Sequence, residues 1–398
     1  MMARLGDVFE SQIAGEWGSK CAENENGTKV LRTTNFTQEG RINYDDVVIR
    51  SINQSKVEKK RLHYGDIILE KSGGTAKTPV GRVVFCDEAI EDSIYLCNNF
   101  TQAMRVNQTI AIPRYVFYFM WNLHSSGKTD LLQNKTTGIR NLQVKSYLNE
   151  NCPLPPLEEQ RKIAAVLDKV GDLIAKRKQQ LEKLDELVKS RFVEMFGDPE
   201  NNYKAWPVKS LDKLCAVGSS KRIYQSEQST EGVPFWRISD LVSKMDTGTV
   251  DNSLFISEIK YTELKRAGLV PATGDILVTS RGTLGRCYII KDEDCFYFQD
   301  GMISWLSNYS EEITPLYLQY LFTMSGFRKQ IDNMQAGSTV AYLSIAMLKR
   351  LQVMVPDKEL QNQFAAFVKQ TDKSKLAVQK SLDKLELLKK ALMQKYFG

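Results

Sequence analysis

A chain of 398 residues, 42% hydrophobic, with a net charge of +6 from 54 basic and 48 acidic side chains, is longer than one core ordinarily grows and apolar enough for two, which excludes both a single small domain and a disordered polyelectrolyte. No run approaches the ~18 uninterrupted apolar residues of a membrane span, and the opening Met1-Met2-Ala3-Arg4-Leu5-Gly6-Asp7 lacks the basic-then-apolar layout of a secretory leader, so no membrane partner and a cytoplasmic location are expected. Seven cysteines without a C-x-x-C pair and two isolated histidines, His63 and His124, leave no zinc or disulfide framework and no histidine cluster for metal or acid-base work.

Residues 1–153 read as a first domain. In it a short β-rich run, Gly65-Asp66-Ile67-Ile68, leads into a loop of small and basic residues, Lys71, Ser72, Gly73, Gly74, Thr75 and Lys77, and returns at Gly81-Arg82. Such a run, loop and return is hairpin chemistry. A patterned stretch through Thr137, Ile139, Leu142 and Val144 closes the domain.

Residues 154–197 predict one long helix. Ile163, Leu167, Val170, Ile174, Leu181, Leu184, Val188 and Met195 recur in alternating steps of four and three, a heptad seam in which Arg177 and Arg191 hold two positions. Pro155 and Pro156 lie where a helix can start, Glu158 and Glu159 occupy the first turn beside the positive dipole end, and Gly197 followed by Pro199 stops it. At ~1.5 Å per residue such a helix is a rod of roughly 60 Å that cannot bury its stripe alone.

Residues 198–354 repeat the first domain and 355–398 repeat the helix. Pro155 aligns with Pro356, and the same shift carries Glu158 onto Glu359, Gln160 onto Gln361, Leu181 onto Leu382, Leu184 onto Leu385, and Phe196-Gly197 onto Phe397-Gly398. Gly274-Asp275-Ile276-Leu277 answers Gly65-Asp66-Ile67-Ile68, Gly285-Arg286 answers Gly81-Arg82, and Ser338, Val340, Leu343 and Ile345 answer Thr137 to Val144. The second loop, Ser280-Arg281-Gly282-Thr283, is shorter and different. In the second helix the seam runs Phe364, Val368, Val378, Leu382, Leu385, Leu392 and Tyr396, interrupted by Thr371, Lys375 and Lys389, so the two rods are expected to pack on each other. A repeated frame with unlike tips fits recognition of a two-part target.

The residue types at the tips suit DNA. Glycines let the backbone approach closely, and Arg, Lys, Ser and Thr supply donors for base edges in the major groove. Lys71, Ser72, Gly73, Gly74, Lys77, Arg82 and Arg140 in the first domain, and Arg237, Ser280, Arg281, Gly282, Thr283, Arg286, Ser338 and Thr339 in the second, are the candidate DNA-binding residues. Residues 1–153 hold 19 basic and 17 acidic side chains, and residues 198–355 hold 17 and 18. Neither domain is globally basic, so phosphate contact must come from local clusters such as Lys56, Lys59, Lys60 and Arg61, or Lys221 and Arg222. The aromatics Tyr44, Trp236, Tyr288 and Phe296 fit core positions better than base stacking.

The segment Cys152-Pro153-Leu154-Pro155-Pro156-Leu157-Glu158-Glu159-Gln160-Arg161-Lys162-Ile163, the long helix ending Met195-Phe196-Gly197-Asp198, the strand Gly274-Asp275-Ile276-Leu277-Val278 with its Arg281-Gly282-Thr283 loop, and the repetition of all these resemble the specificity subunit of type I restriction-modification systems. The resemblance spans nearly the whole chain. It implies an α+β protein with two α/β target recognition domains in tandem, each reading half of a split site in double-stranded DNA, separated by two long antiparallel helices that form a coiled-coil spacer. Methyltransferase subunits, two of them, would dock on the helices, with restriction and translocase subunits joining the complex. The spacer and docking faces would draw on Pro155, Glu158, Gln160, Ile163, Leu167, Ile174, Leu181, Leu184 and Val188, and on Phe364, Val368, Leu382, Leu385 and Leu392. The second copy departs from the pattern at Pro356-Asp357-Lys358-Glu359-Leu360-Gln361, which sets equal docking at the two ends apart as an open point.

Catalysis of its own is not expected. The only Pro-Pro pair, Pro155-Pro156, precedes Leu157 and not an aromatic, and Gly73-Gly74-Thr75-Ala76-Lys77-Thr78 lacks the spacing of a phosphate-binding loop. Asp45 or Asp46 with Glu58-Lys59-Lys60 imitates a nuclease pattern but has no counterpart in the second half. No metal or cofactor is therefore expected on this chain, and S-adenosylmethionine would be bound by the partner methyltransferase subunits. The alternatives are a coiled-coil scaffold that binds proteins only, and the specificity subunit of a methyltransferase-only or type IIG-like system.

Overall fold

The computed structural model describes residues 1–21, 27–75, 78–134, 138–335 and 341–398. These form two compact units, one of residues 1–178 with 379–398, the other of residues 179–378, so each unit takes a part of both long helices.

In the first unit a four-stranded antiparallel sheet runs in the order Phe9–Ala14, Thr101–Val106, Ile67–Glu70, Val83–Phe85. The edge strand Phe9–Ala14 alternates half-buried and exposed residues, whereas every residue of Ile67–Glu70 is buried, as a strand covered on both faces requires. A second sheet is ordered Ser19–Lys20, Val48–Ser51, Thr28–Leu31, Tyr95–Cys97, with the last pair parallel. The helix Pro113–Ser125, started by its own proline, lays Tyr115, Val116, Phe119 and Met120 into the core. Met2–Arg4 pairs with Asn151–Pro153 just ahead of the first long helix.

The second unit repeats this plan. Its sheets are ordered Ala216–Gly218, Ile303–Ser307, Ile276–Thr279, Cys287–Ile289 and Gln228–Ser229, Phe255–Ile256, Val233–Trp236, Tyr297–Phe298, again with one parallel pair at the end of the second. Val208–Ser210 pairs with Gln352–Met354, and Pro315–Leu321 takes the place of the first unit's helix. The expected hairpins are present in both, Ile67–Leu69 against Val83–Phe85 and Ile276–Val278 against Cys287–Ile289. The first unit also holds a small sheet, Gln133–Asn134 with Arg140–Leu142 and Ser72–Gly74.

The long helices are Leu157–Phe196 and Lys358–Phe397, each of 40 residues, and within each unit the start of one packs beside the end of the other. In the first unit Ile163, Ala164 and Leu167 share a core with Met393 and Phe397. In the second, Phe192 and Phe196 pack edge-on against Phe364, with centroids at 5.5 and 5.4 Å, and Val188 and Val368 join them.

The heptad seam describes Ile163, Leu167, Val170, Ile174, Val188, Val368 and Leu382, all buried, while Leu181, Leu184, Leu385 and Leu392 are only half-buried. It misses Phe192, Phe196, Met393 and Phe397, which are buried more deeply than Leu392 and Tyr396. The reason is local: near its ends each helix also enters a domain core, and a globular helix buries a wider stripe than a coiled-coil seam. Polar seam residues find partners: Lys375 Nζ lies 2.6 Å from Asp185, and the Thr371 hydroxyl donates to Phe367 O at 3.0 Å.

Candidate nucleic-acid interface

In each unit the strand at the middle of the hairpin runs out into a tip loop, and that loop meets a second one that is remote in sequence. Leu142 N donates to Lys71 O at 2.8 Å, and Leu343 N donates to Ser280 O at 3.0 Å. The two bonds are equivalent in the repeat. Onto this common backbone joint each unit places its own side-chain pair: Ser72 Oγ donates to Asn141 Oδ1 in the first, and the Arg281 guanidinium lies 5.2 Å over the Tyr342 ring in the second. Gly73 (φ +100°) and Gly282 (φ +68°) take left-handed conformations at tips where a Cβ would meet nothing within 4 Å. The backbone at both tips is therefore open to close approach.

The other sequence candidates divide into those at the surface and those held inside. Arg140 stands opposite Gly74 in the small sheet, and Gly74 is packed against Thr78 and Val80. Arg82 forms a fork on the buried Glu70 carboxylate at 2.8 and 2.9 Å and also reaches Thr33 O. Hydrogen bonding to Glu70 raises its pKa further, so its donors hold the hairpin. Ser280 is buried, its hydroxyl 2.8 Å from that of Ser304; it supports the tip from beneath. Arg286 pairs with Asp246 at 2.5 Å, and Arg237 is exposed with Nε 3.4 Å from Asp240. Thr283 is exposed and its carbonyl accepts from the Thr279 hydroxyl. Lys77, Ser338 and Thr339 lie outside the described residues.

Of the basic clusters, Lys56 and Lys60 are paired with Glu16 at 3.2 and 2.8 Å, which holds that carboxyl below its usual range, and Arg61 reaches Glu91. Trp236, Tyr288 and Phe296 are core residues, the first and last stacked at 3.6 Å, while Tyr44 is half-buried with its hydroxyl on Asp87. Two of the nuclease-like acids are occupied too, Asp46 by Arg32 at 2.8 Å and Glu58 by Gln54 at 3.1 Å. Among the described residues no group of three or more His, Cys, Asp or Glu is arranged to hold a metal, and no helix is long and apolar enough to cross a membrane.

Asn141 and Tyr342 were absent from the sequence candidates. A signal did exist, since they occupy equivalent places in the third repeated stretch and differ there, but only the fold brings that stretch against the tip loop.

The start of each long helix is fixed by a buried glutamine. Gln160 accepts from Ile112 N at 2.9 Å and donates to Pro155 O at 2.8 Å and Ile110 O at 3.3 Å. Gln361 accepts from Thr314 N and Thr314 Oγ1 at 2.8 and 3.1 Å and donates to Pro356 O and Glu312 O at 2.9 and 2.8 Å. Both are fully buried. These glutamines join helix to domain within each unit and present nothing to a partner. Glu158, by contrast, is exposed and pairs with Lys162 on its own helix at 2.7 Å.

The family model described as the type I restriction modification DNA specificity domain matches residues 1–184 and again 203–387. A specificity subunit of the type I restriction enzyme MjaVIII of Methanocaldococcus jannaschii is 27% identical over 299 residues, 70% of this chain and 68% of that one. The EcoKI specificity subunit of Escherichia coli is 23% identical over 398 residues, 92% of this chain and 81% of that one. In fold, the chain is similar along its whole length to the crystal structure of a type I restriction-modification S subunit from M. genitalium, with a TM-score of 0.58 over 96% of that chain at 16% identity.

Proposed function

The chain belongs to the family of type I restriction-modification DNA specificity proteins, and we propose that it reads a bipartite duplex site, one half-site per unit, for a complex in which methyltransferase subunits carry the chemistry. The observation that carries this reading is the repeated loop-to-loop joint: one backbone hydrogen bond in both units, with Ser72 and Asn141 on one and Arg281 and Tyr342 on the other. A protein that recognised one sequence twice would keep the side chains as well as the frame. Each tip would enter a major groove, where side-chain donors and acceptors distinguish all four base pairs. The chain supplies positioning and discrimination; two methyltransferase subunits would bind S-adenosylmethionine and methylate a base in each half, and restriction subunits would join the same complex.

The test is to assemble the full chain with its methyltransferase subunit and map methylated positions across genomic DNA. Two unlike half-sites at fixed spacing are expected. Methylation at one contiguous motif, or none that depends on this chain, would count against the reading.

A further inference from the structure

Beside the second tip lies a cleft of about 550 Å³ whose walls include Arg222, Gln228, Arg281, Gln299, Asp300 and Tyr342. We propose that this cleft is the base-reading surface of the second unit, with Arg281 reading a guanine and Gln299 a neighbouring adenine. The inference rests on the reading of the chain as a DNA-recognition protein; to Arg281, which the sequence singled out, it adds Gln299, Gln228 and Asp300, which the sequence did not.

Three features carry it. The first is how Arg281 is held. The guanidinium carbon lies 5.2 Å over the Tyr342 ring, a contact that uses none of its N–H donors and so leaves the fork for a ligand. Among the described residues that fork has no hydrogen-bond or ion-pair partner. The second is the donor set. The side-chain amides of Gln228 and Gln299 make no hydrogen bond among the described residues, although both side chains are half-buried. Amides offering a donor and an acceptor together match the N6/N7 edge of adenine, and a guanidinium matches O6/N7 of guanine. The third is charge. Asp300 lies in the same cleft, 2.8 Å from Arg222 Nε, and a carboxylate there disfavours a phosphate while leaving an acceptor for a base amino group.

The floor is rigid. Tyr297 Oη accepts from Lys221 N at 2.8 Å and donates to Lys221 O at 3.1 Å, Ser220 Oγ donates to Phe298 O at 2.7 Å, and Ser280 is tied to Ser304. The segments bearing Arg222, Gln299 and Arg281 are thereby fixed before any ligand arrives, which lowers the ordering cost of binding.

The experiment uses the assembled complex of full chain and methyltransferase subunit, with wild type, Arg281→Ala, Arg281→Lys and Gln299→Ala. Two readouts are taken: the genomic methylation motif, and competition binding against duplexes carrying each single substitution of that motif. Arg281→Ala should reduce discrimination at one G·C position by about tenfold or more, Gln299→Ala should do so at an adjacent A·T position, and the other half-site should be unchanged. Arg281→Lys should behave like Ala, because a lysine keeps the charge and loses the planar fork. Uniform weakening over all duplexes, up to complete loss, or a lysine variant equal to wild type would make Arg281 a phosphate contact and overturn the proposal, as would an unchanged motif. A wild-type complex without any sequence motif would instead remove the bipartite reading on which the proposal rests.

Discussion

Replacing Gln160 tests whether one buried amide joins the first long helix to its domain. In Gln160→Leu the size is kept and the polar group removed, so Ile112 N–H loses its acceptor and the carbonyls of Pro155 and Ile110 lose a donor. Each orphaned buried group costs about 1–3 kcal/mol, so a total near 3 kcal/mol is expected. For a unit of about 200 residues that lowers the midpoint of its thermal transition by roughly 6–12 °C. Gln160→Glu sharpens the test. The carboxylate can still accept from Ile112 N–H but faces two carbonyls with no donor, so burial and those carbonyls raise its folded-state pKa above the unfolded value. A carboxyl raised in the folded state costs stability increasingly as pH rises through its unfolded pKa, about 4.3, and the penalty levels off above the folded pKa. The Glu variant should therefore lie closest to wild type at pH 4 and furthest from it at pH 7, whereas the Leu variant should show a pH-independent loss. Calorimetry of the full chain resolves this, with Gln361→Leu acting on the second unit as the internal comparison. A loss below about 0.5 kcal/mol for Gln160→Leu would refute the joint, and a Glu variant without pH dependence would refute the account of its hydrogen bonds.

Three further outcomes are expected. Arg82→Met leaves the buried Glu70 without its fork and should cost the first unit about 1–3 kcal/mol while leaving the methylation motif unaltered; a changed motif at unchanged stability would return Arg82 to the reading surface. Burial lowers the pKa of Lys389, which lies 4.3 Å over Trp121, so its charged form is disfavoured in the folded state; Lys389→Met should stabilise the first unit at neutral pH, with a gain that disappears as pH rises toward the ordinary lysine value near 10.4. The chain alone should bind duplex DNA weakly, since neither recognition stretch is globally basic, and affinity measured in one buffer should rise when the methyltransferase subunit is added; equal affinity would contradict partner-supplied phosphate contacts.

What the sequence made legible was set by periodicity and repetition. The alternating threes and fours from Ile163 to Val188 identify the helix because a heptad is a local pattern, and the matched prolines and glutamines identify its twin. Phe192 and Phe397 escaped the same reading because their burial comes from strands and helices far away in the chain. Gln160 was legible as repeated but not as structural: a glutamine in a first helical turn looks like surface, and only Ile110–Ile112 folding back over it makes it a core residue. Among the candidate DNA contacts the same limit holds. Composition selects Arg82 and Arg281 alike, yet a buried carboxylate, Glu70, holds the former, while the latter is exposed beside the Tyr342 ring.

That difference bears on how such a chain can change its target. Exposed tip residues contribute little to stability, so substitutions at Arg281 or Thr283 are expected within about 0.5 kcal/mol of neutral. Gly74, Arg82 and Ser280 sit in the same loops but are packed, paired or buried, and replacing them disturbs the hairpin that carries the tip. Within one short loop, then, adjacent residues are under opposite constraints: Ser280 anchors through Ser304 and through its carbonyl to Leu343 N, and Arg281, the next residue, points out over Tyr342. On the proposed reading, a fold that separates anchoring from reading at this scale would alter half-site preference by one or two substitutions without first acquiring compensating mutations in its core.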